Sequence, residues 1–375
     1  MIRSARSPAL FCCLLVAVTF GPISAVSLTI APLRGPRDEQ LQLSDDGQLL
    51  VWLRVRGTRL SLCALATPFT GERSELPLGP AFSIPEPRLS GNGRHAFWRN
   101  EDGEVWHVPI DQGRFGKPEK LPIKAGWSRS LLCNADGSVL ATLICGPPSG
   151  TDLATSYAAV VAVQRYVMGW AQHDPLTPLE LGKAARGMLL DGAGRLLIYQ
   201  FGGIKQAVRN EEDDWDVSPL MFPGYDVLPK ALSADGKVML LEGCRADERV
   251  ASPERVNQRH VWISTRKEGD WGTPELVPRV GDVSYWNLAM SPNGRWLAWV
   301  EFDRGEDGNT ITRTRLRIMR RKRKRWGEPE NVLDQKGYQQ VWNTCVTDRG
   351  TVAWTVCKGW KGYVQELGKK TVCLD

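Results

Sequence analysis

The chain has 375 residues, of which 42% are hydrophobic and 24% charged, and its formal net charge is +6. Those proportions belong to a globular protein with a real core and exclude a disordered, collagen-like or multi-span membrane chain. Fifteen Trp, 37 Gly and 24 Pro favour a pleated, turn-rich fold over a helical bundle.

Residues 1–25 read as a secretory signal. Arg3 and Arg6 open it, twelve apolar residues follow from Ala9 to Phe20, and Gly21-Pro22 and small residues precede a cut after Ala25. The run is shorter than the roughly 20 residues a membrane helix needs, and no later stretch is longer. The expected mature chain, 26–375, is one domain, periplasmic or secreted, with no membrane span. Its charge is lopsided. Without Arg3 and Arg6 the net is +4, and nine basic residues lie between Arg313 and Arg325 with no acid among them, so the rest sums to −5. A single basic hairpin is not a nucleic-acid surface.

Seven cysteines remain after the signal: Cys63, Cys133, Cys145, Cys244, Cys345, Cys357 and Cys373. None has zinc-site spacing. Cys133/Cys145 and Cys345/Cys357 share a separation of twelve. A chain reversal just after Cys133 leaves Cys145 six residues up the strand, roughly 20 Å away at ~3.3 Å per residue and beyond the ~7 Å Cα limit of a disulfide. The equal spacing therefore points to repeated structure.

The repeat itself is an apolar residue, then Ser, Thr, Asn or Asp, two residues, Gly, and an apolar run. Its copies are Leu43-Ser-Asp-Asp-Gly47, Leu89-Ser-Gly-Asn-Gly93, Cys133-Asn-Ala-Asp-Gly137, Leu190-Asp-Gly-Ala-Gly194, Leu232-Ser-Ala-Asp-Gly236, Met290-Ser-Pro-Asn-Gly294 and Val346-Thr-Asp-Arg-Gly350, with glycines 46, 44, 57, 42, 58 and 56 apart. Each is a β-turn, because the short polar side chain can bond turn backbone and Gly accepts positive φ. Several units close with aromatic–Gly–x–Pro: Phe115-Gly-Lys-Pro118, Trp271-Gly-Thr-Pro274 and Trp326-Gly-Glu-Pro329. Four short strands per unit, repeated, predict an all-β fold: one β-propeller of seven four-stranded blades, with six as the alternative.

At these residues the chain resembles the WD40-like, PD40-type propellers of the TolB family, whose repeat reads roughly Ser-Pro-Asp-Gly before an apolar strand. Met290-Ser-Pro-Asn-Gly294 is the nearest copy, and the resemblance covers about residues 38–366. It implies a periplasmic module that binds other proteins.

Blade connectivity puts the seven Gly turns on one face, and on the opposite face the long connections at about 145–156, 243–259 and 303–310. The inner strands start on that opposite face with Trp127, Arg129, Arg186, Tyr225, Lys230, Tyr285, Trp286 and Trp342. Aromatics with Arg and Lys suit a peptide end or an acidic sugar, while core packing is the competing role for each Trp. Arg313, Arg315 and Arg317 alternate with apolar or small residues along a strand. That strand ends in a tip on the Gly-turn face, Arg320, Arg321, Lys322, Arg323, Lys324 and Arg325, suited to an anionic surface. Blade four carries the acidic tip Glu211-Glu-Asp-Asp214 at the matching place.

Catalytic signatures are missing: there is no G-x-S-x-G, H-E-x-x-H or C-x-x-C. Four His are present, with His95 and His107 in adjacent strands of one blade. The expectation is a non-catalytic binding module with no cofactor and no metal, its partner a protein or peptide of the cell envelope. The alternative is a metal-dependent, lyase-like enzyme acting on polysaccharide.

Overall fold

The computed structural model describes residues 12–15 and, from 37 onward, all but 68, 70–71, 81–85, 101, 124–126, 146–157, 167–168, 173–185, 248–259, 279, 281–283, 308–309, 324, 340, 357, 366–371 and 375. The expected signal segment lies outside these residues except for 12–15.

Why the repeat becomes a turn is visible atom by atom. Its first polar side chain is buried in every copy, at Ser44, Ser90, Asn134, Asp191, Ser233, Ser291 and Thr347. Each accepts a backbone N–H at the start of the next strand: His95 to Ser90 Oγ at 2.9 Å, Val139 to Asn134 Oδ1 at 2.9 Å, Leu196 to Asp191 Oδ1 at 3.0 Å and Val238 to Ser233 Oγ at 2.8 Å. Where the residue is Ser, its hydroxyl also donates to the Asp or Asn two places on, as Ser44 does to Asp46 at 2.7 Å and Ser291 to Asn293 at 2.8 Å. That oxygen in turn accepts the N–H after the glycine, at 3.0 Å for Gln48 and 2.9 Å for Arg295. Glycine ends the motif because φ there runs from +66° to +80°.

The strands between turns form seven antiparallel sheets that follow one another in the chain. Blade one runs through Arg37–Leu43, Leu49–Arg56, Arg59–Ala66 and Ser74–Pro80, and blade two from Arg88–Leu89 to Glu119–Lys120. Blades three to six begin at Trp127–Cys133, Arg186–Leu190, Tyr225–Leu232 and Ser284–Met290, and blade seven holds Val341–Val346, Val352–Val356, Lys358–Gln365 and Val372–Leu374. Six sheets consist only of strands consecutive in sequence. The seventh has its four such strands and also takes in Cys12–Leu15, which pairs with Val352–Val356 and Lys358–Gln365.

The turns close the ring. Asp45 N–H donates to Gly91 O at 2.8 Å, Asn92 to Ala135 at 2.7 Å, Ala135 to Gly192 at 2.9 Å, Gly192 to Ala234 at 2.8 Å and Ala234 to Pro292 at 2.6 Å. Pro292 has no N–H, so Asn293 donates instead to Asp348 Oδ1 at 2.6 Å, and Asp348 N–H reaches Asp45 O at 3.3 Å. These links join seven turns into one collar. Its inner residues must be small, because a Cβ on Gly91 would lie 3.1 Å from Ala135 Cα, and one on Gly192 would lie 2.9 Å from Ala234 Cβ.

The core sits between blades. Second strands are flanked by neighbours on both faces, so Leu49–Arg56 is buried through its first seven residues and Trp296–Arg304 through its first six. Trp52, Trp299 and Trp354 are fully buried on such strands. Trp52, Trp296 and Trp354 belong to the largest apolar cluster, which spans blades six, seven and one and packs the seam between the two chain ends. The aromatic–Gly–x–Pro step also has a cause. It follows a two-residue hairpin at the end of the third strand, with Gln112-Gly113 and Glu268-Gly269 both at positive φ. The next glycine then donates back to that strand, Gly116 to Pro109 O at 2.8 Å and Gly272 to Thr265 O at 3.0 Å.

Candidate functional site

The inner strands begin at the end of the ring opposite the collar. Trp127 faces Cys145, Arg186 faces Gln200, Tyr225 faces Arg245, Tyr285 faces Glu301, Trp286 faces Val300 and Trp342 faces Thr355. Those partners lie at or near the outer ends of the second strands, so the backbone brings these starts to one end of the ring, around its axis. The connections 146–157 and 248–259 lie outside the described residues, as do the side chains of Trp127, Arg129, Arg186, Tyr285, Trp286 and Trp342.

A feature that sequence reasoning missed recurs along these strands, at the mouth end in blades three and four and farther toward the collar in the others. The inner strands of blades one, three, four, five, six and seven each slip register once, between Glu39 and Gln42, Ser128 and Ser130, Arg186 and Met188, Pro229 and Ala231, Trp286 and Ala289, and Trp342 and Cys345. A bulge adds an unpaired residue and re-aims its side chain. The inserted residues include Arg129 and Lys230, both singled out from sequence, and also Gln40 and Asn287, both at positive φ. Lys230 is not at a strand start as expected but two residues before the collar end of Tyr225–Leu232, because Tyr225 opens that strand. Asn287 donates its amide N–H to Val341 O, which ties blade six to blade seven. Lys230 is exposed and paired with Glu242. Tyr225 is turned onto its own sheet: its ring meets Trp262 edge-on at 5.1 Å and its hydroxyl donates to Pro274 O at 3.3 Å.

A polar line runs through blade two from half-buried His95 through buried His107 to exposed Glu119. His107 Nδ1 donates to Glu119 Oε1 at 2.7 Å, so its Nε2 accepts from His95 Nδ1 at 2.9 Å. Trp170 of blade three adds its indole N–H to Glu119 at 3.3 Å, and Phe97 stacks on His107 at 5.0 Å. Burial, aided by His107, pushes the His95 imidazole down to about 4. Burial also lowers His107, against the pull of Glu119. Both rings are therefore neutral near pH 7, and the line is a fixed proton arrangement joining two blades. Twelve residues separate His95 from His107 and His107 from Glu119. That even spacing is the one signal by which it was findable.

The basic strand Ile311–Lys322 runs from the mouth to the collar face, and along its first half it is largely neutralised. Arg313 grips Asp334 through two bonds, Arg315 likewise grips Asp303 through two, and Arg315 and Arg317 both reach Glu301. Arg321 lies over Trp326 and within 3.9 Å of Glu275 of blade five. Arg320, at 5.1 Å over Trp296, Lys322, Arg323 and Arg325 remain exposed, and Lys324 lies outside the described residues. The tip is a hairpin whose strand runs to Lys322, with Arg323 in the turn at φ +57°. In blade four Glu211, Glu212, Asp213 and Asp214 are exposed, with Asp213 paired to Arg209 at 2.7 Å.

The collar also holds two carboxyls on adjacent turns. Burial, with Asp348 and Asp46 nearby, lifts Asp45 to about 6, and burial raises Asp348 as well. Burial pushes the thiols of Cys133 and Cys345 up to about 12, so both are inert. Cys133 faces Leu140 while Cys145 faces Trp127, which agrees with the absence of a local bridge between them. A shallow cavity of 580 Å³ lies at the blade-two hairpin, lined by Pro109, Ile110, Asp111, Gln112, Arg114, Phe115 and Gly116, and it gathers no set of reactive groups.

No family model matches the chain, and no curated protein matches it in sequence. Solved structures do match in fold. An oligogalacturonate lyase from Vibrio parahaemolyticus is 10% identical, with 86% of this chain and 90% of that one covered and a TM-score of 0.57. A prolyl endopeptidase is 11% identical over 90% of this chain, which spans 49% of the endopeptidase, with a TM-score of 0.57. A putative TolB from Agrobacterium tumefaciens is 14% identical, covered to 93% and 99%, with a TM-score of 0.46. At these identities the likeness is one of fold alone.

Proposed function

We propose that the chain is an exported, non-catalytic propeller of the cell envelope that binds a protein or peptide at the mouth opposite the collar. The observation that carries the reading is the bulge repeated in six of the inner strands that lead from that mouth toward the collar. Bulges recur where a fold aims side chains at a ligand, and here they accompany Trp127, Arg129, Arg186, Lys230, Trp286 and Trp342. Aromatic and Arg side chains on a rigid ring bind with little loss of freedom. Export rests on residues 1–25, and blade seven has its four strands without that segment. The basic hairpin is a second surface, for an anionic partner.

Crosslinking of the tagged chain in its own envelope tests the reading. The native chain should trap a partner that Arg129→Ala with Trp286→Ala loses, at unchanged melting temperature, and identical crosslinks would overturn it. The competing lyase-like reading requires a bound metal. His95 and His107, 2.9 Å apart nitrogen to nitrogen, hydrogen-bond to each other and leave no room for an ion between them. A stoichiometric metal, lost together with thermal stability on chelation, would decide for the enzyme.

A further inference from the structure

The hairpins that end the third strands of blades four, five and six all stand on the collar face. Each is anchored beside its own glycine turn: Arg209 N–H bonds Arg195 O at 2.8 Å, Arg266 bonds Lys237 O at 2.7 Å, and Arg321 bonds Arg295 O at 2.6 Å. Their charges differ in a definite order. Blade four presents Glu211, Glu212, Asp213 and Asp214; blade five presents Arg266 and Lys267 with Glu268 and Asp270; blade six presents Lys322, Arg323 and Arg325. Acid, balanced and base therefore follow one another around the ring.

We infer that this face binds a second copy of the chain, the basic hairpin of blade six meeting the acidic hairpin of blade four in each direction. The inference rests on the reading of the basic hairpin as a surface for an anionic partner and names that partner. A two-fold axis lying in the collar face and passing through blade five carries blade four of one copy onto blade six of the other. It carries blade six onto blade four in the same operation. Both charge contacts form at once, as an isologous interface requires. The hairpin on the axis must face itself, and blade five is the one with equal numbers of acids and bases. A planar anionic membrane fits this face less well, because it would meet four exposed acids at the level of the cations.

Individual exposed ion pairs are weak, so the association is weak, reversible and screened by salt. Sedimentation velocity over a concentration series, at low and high salt, reads it directly. The variants are Arg323→Glu with Arg325→Glu, Glu211→Lys with Glu212→Lys, and the chain carrying all four. Each pair of reversals is expected to lower the low-salt association constant at least about tenfold, since every contact occurs twice. The fourfold variant is expected to return to within about threefold of the native value, because complementarity is restored. All four residues are exposed, so melting temperatures should agree across the set. A native chain monomeric at low salt, or a fourfold variant as weak as either parent, overturns the inference. Vesicles of anionic lipid form a separate arm. Loss of vesicle binding in the Arg323→Glu, Arg325→Glu chain, with the native chain monomeric, would keep the anionic-partner reading and discard self-pairing.

Discussion

Replacement of Ser233 by Ala tests the chemistry on which all seven turns depend. Ser233 is fully buried, its hydroxyl oxygen accepts the Val238 N–H at 2.8 Å, and its proton goes to Asp235 at 2.6 Å. Alanine removes both bonds and strands the Val238 amide, whose residue packs against the apolar cluster between blades five and six. A net bond is worth about 1 kcal/mol and an orphaned buried amide costs about 1 to 3 kcal/mol, for a total near 2 to 4 kcal/mol. For a domain of this size that corresponds to a melting temperature lower by about 3 to 6 °C. The control comes from the chain itself. Asn134 holds the same place in blade three and accepts Val139 N–H at 2.9 Å with Asp136 at the third position, so Ser233→Asn should stay within about 1 kcal/mol of native. Calorimetry and denaturant titration read both variants. An Ala variant within about 0.5 kcal/mol of native, or an Asn variant that falls as far as Ala, would refute the reasoning.

Other outcomes follow from the buried charges. The lowered pKa of His95, about 4 in the folded chain against 6.5 unfolded, means its contribution is present above 6.5 and lost as pH falls toward 4; His95→Leu should flatten the acid limb of a stability–pH curve between those values. Asp45 acts in the opposite sense. Its folded pKa of about 6 exceeds the unfolded 3.8, so its cost is present above 6 and relieved as pH falls toward 3.8. Asp45→Asn should therefore stabilise the chain at pH 7.5 by about 1 to 2 kcal/mol, after allowance for solvent screening, and not at pH 4. Glu301 is nearly buried between Arg315 and Arg317, so Glu301→Gln should cost about 3 kcal/mol in denaturant titration, because Arg315 keeps Asp303 but Arg317 loses its carboxylate.

Much of the architecture was written locally. Ser, Asn, Asp or Thr three residues before Gly is a turn because a short oxygen can reach the next strand's amide, and its recurrence declares a propeller, of seven units or six by sequence, whatever lies between the turns. Leu49-Leu-Val-Trp52 and Trp296-Leu-Ala-Trp299 declare buried strands because nothing polar interrupts them. The alternation of Arg313, Arg315 and Arg317 with Thr314, Leu316 and Ile318 gave one wet and one buried side, and the strand has that pattern.

Tertiary structure decided what depends on residues far apart in sequence. The collar needs Asp348 beside Asp45, three hundred residues away, and the small residues at Gly91, Ala135, Gly192 and Ala234 have no visible reason until their turns converge. Tyr225 starts an inner strand as expected, yet its ring turns onto Trp262, because side-chain direction follows packing against a third strand and not position along the first. The basic segment reads as unbalanced charge, but Asp303, Asp334 and Glu301 answer its first three arginines only once neighbouring strands bring them alongside. Periodicity is a property of one strand and is legible in its residues. Bulges, collars and ion-pair partners are properties of register between strands, which exist only when the ring has closed.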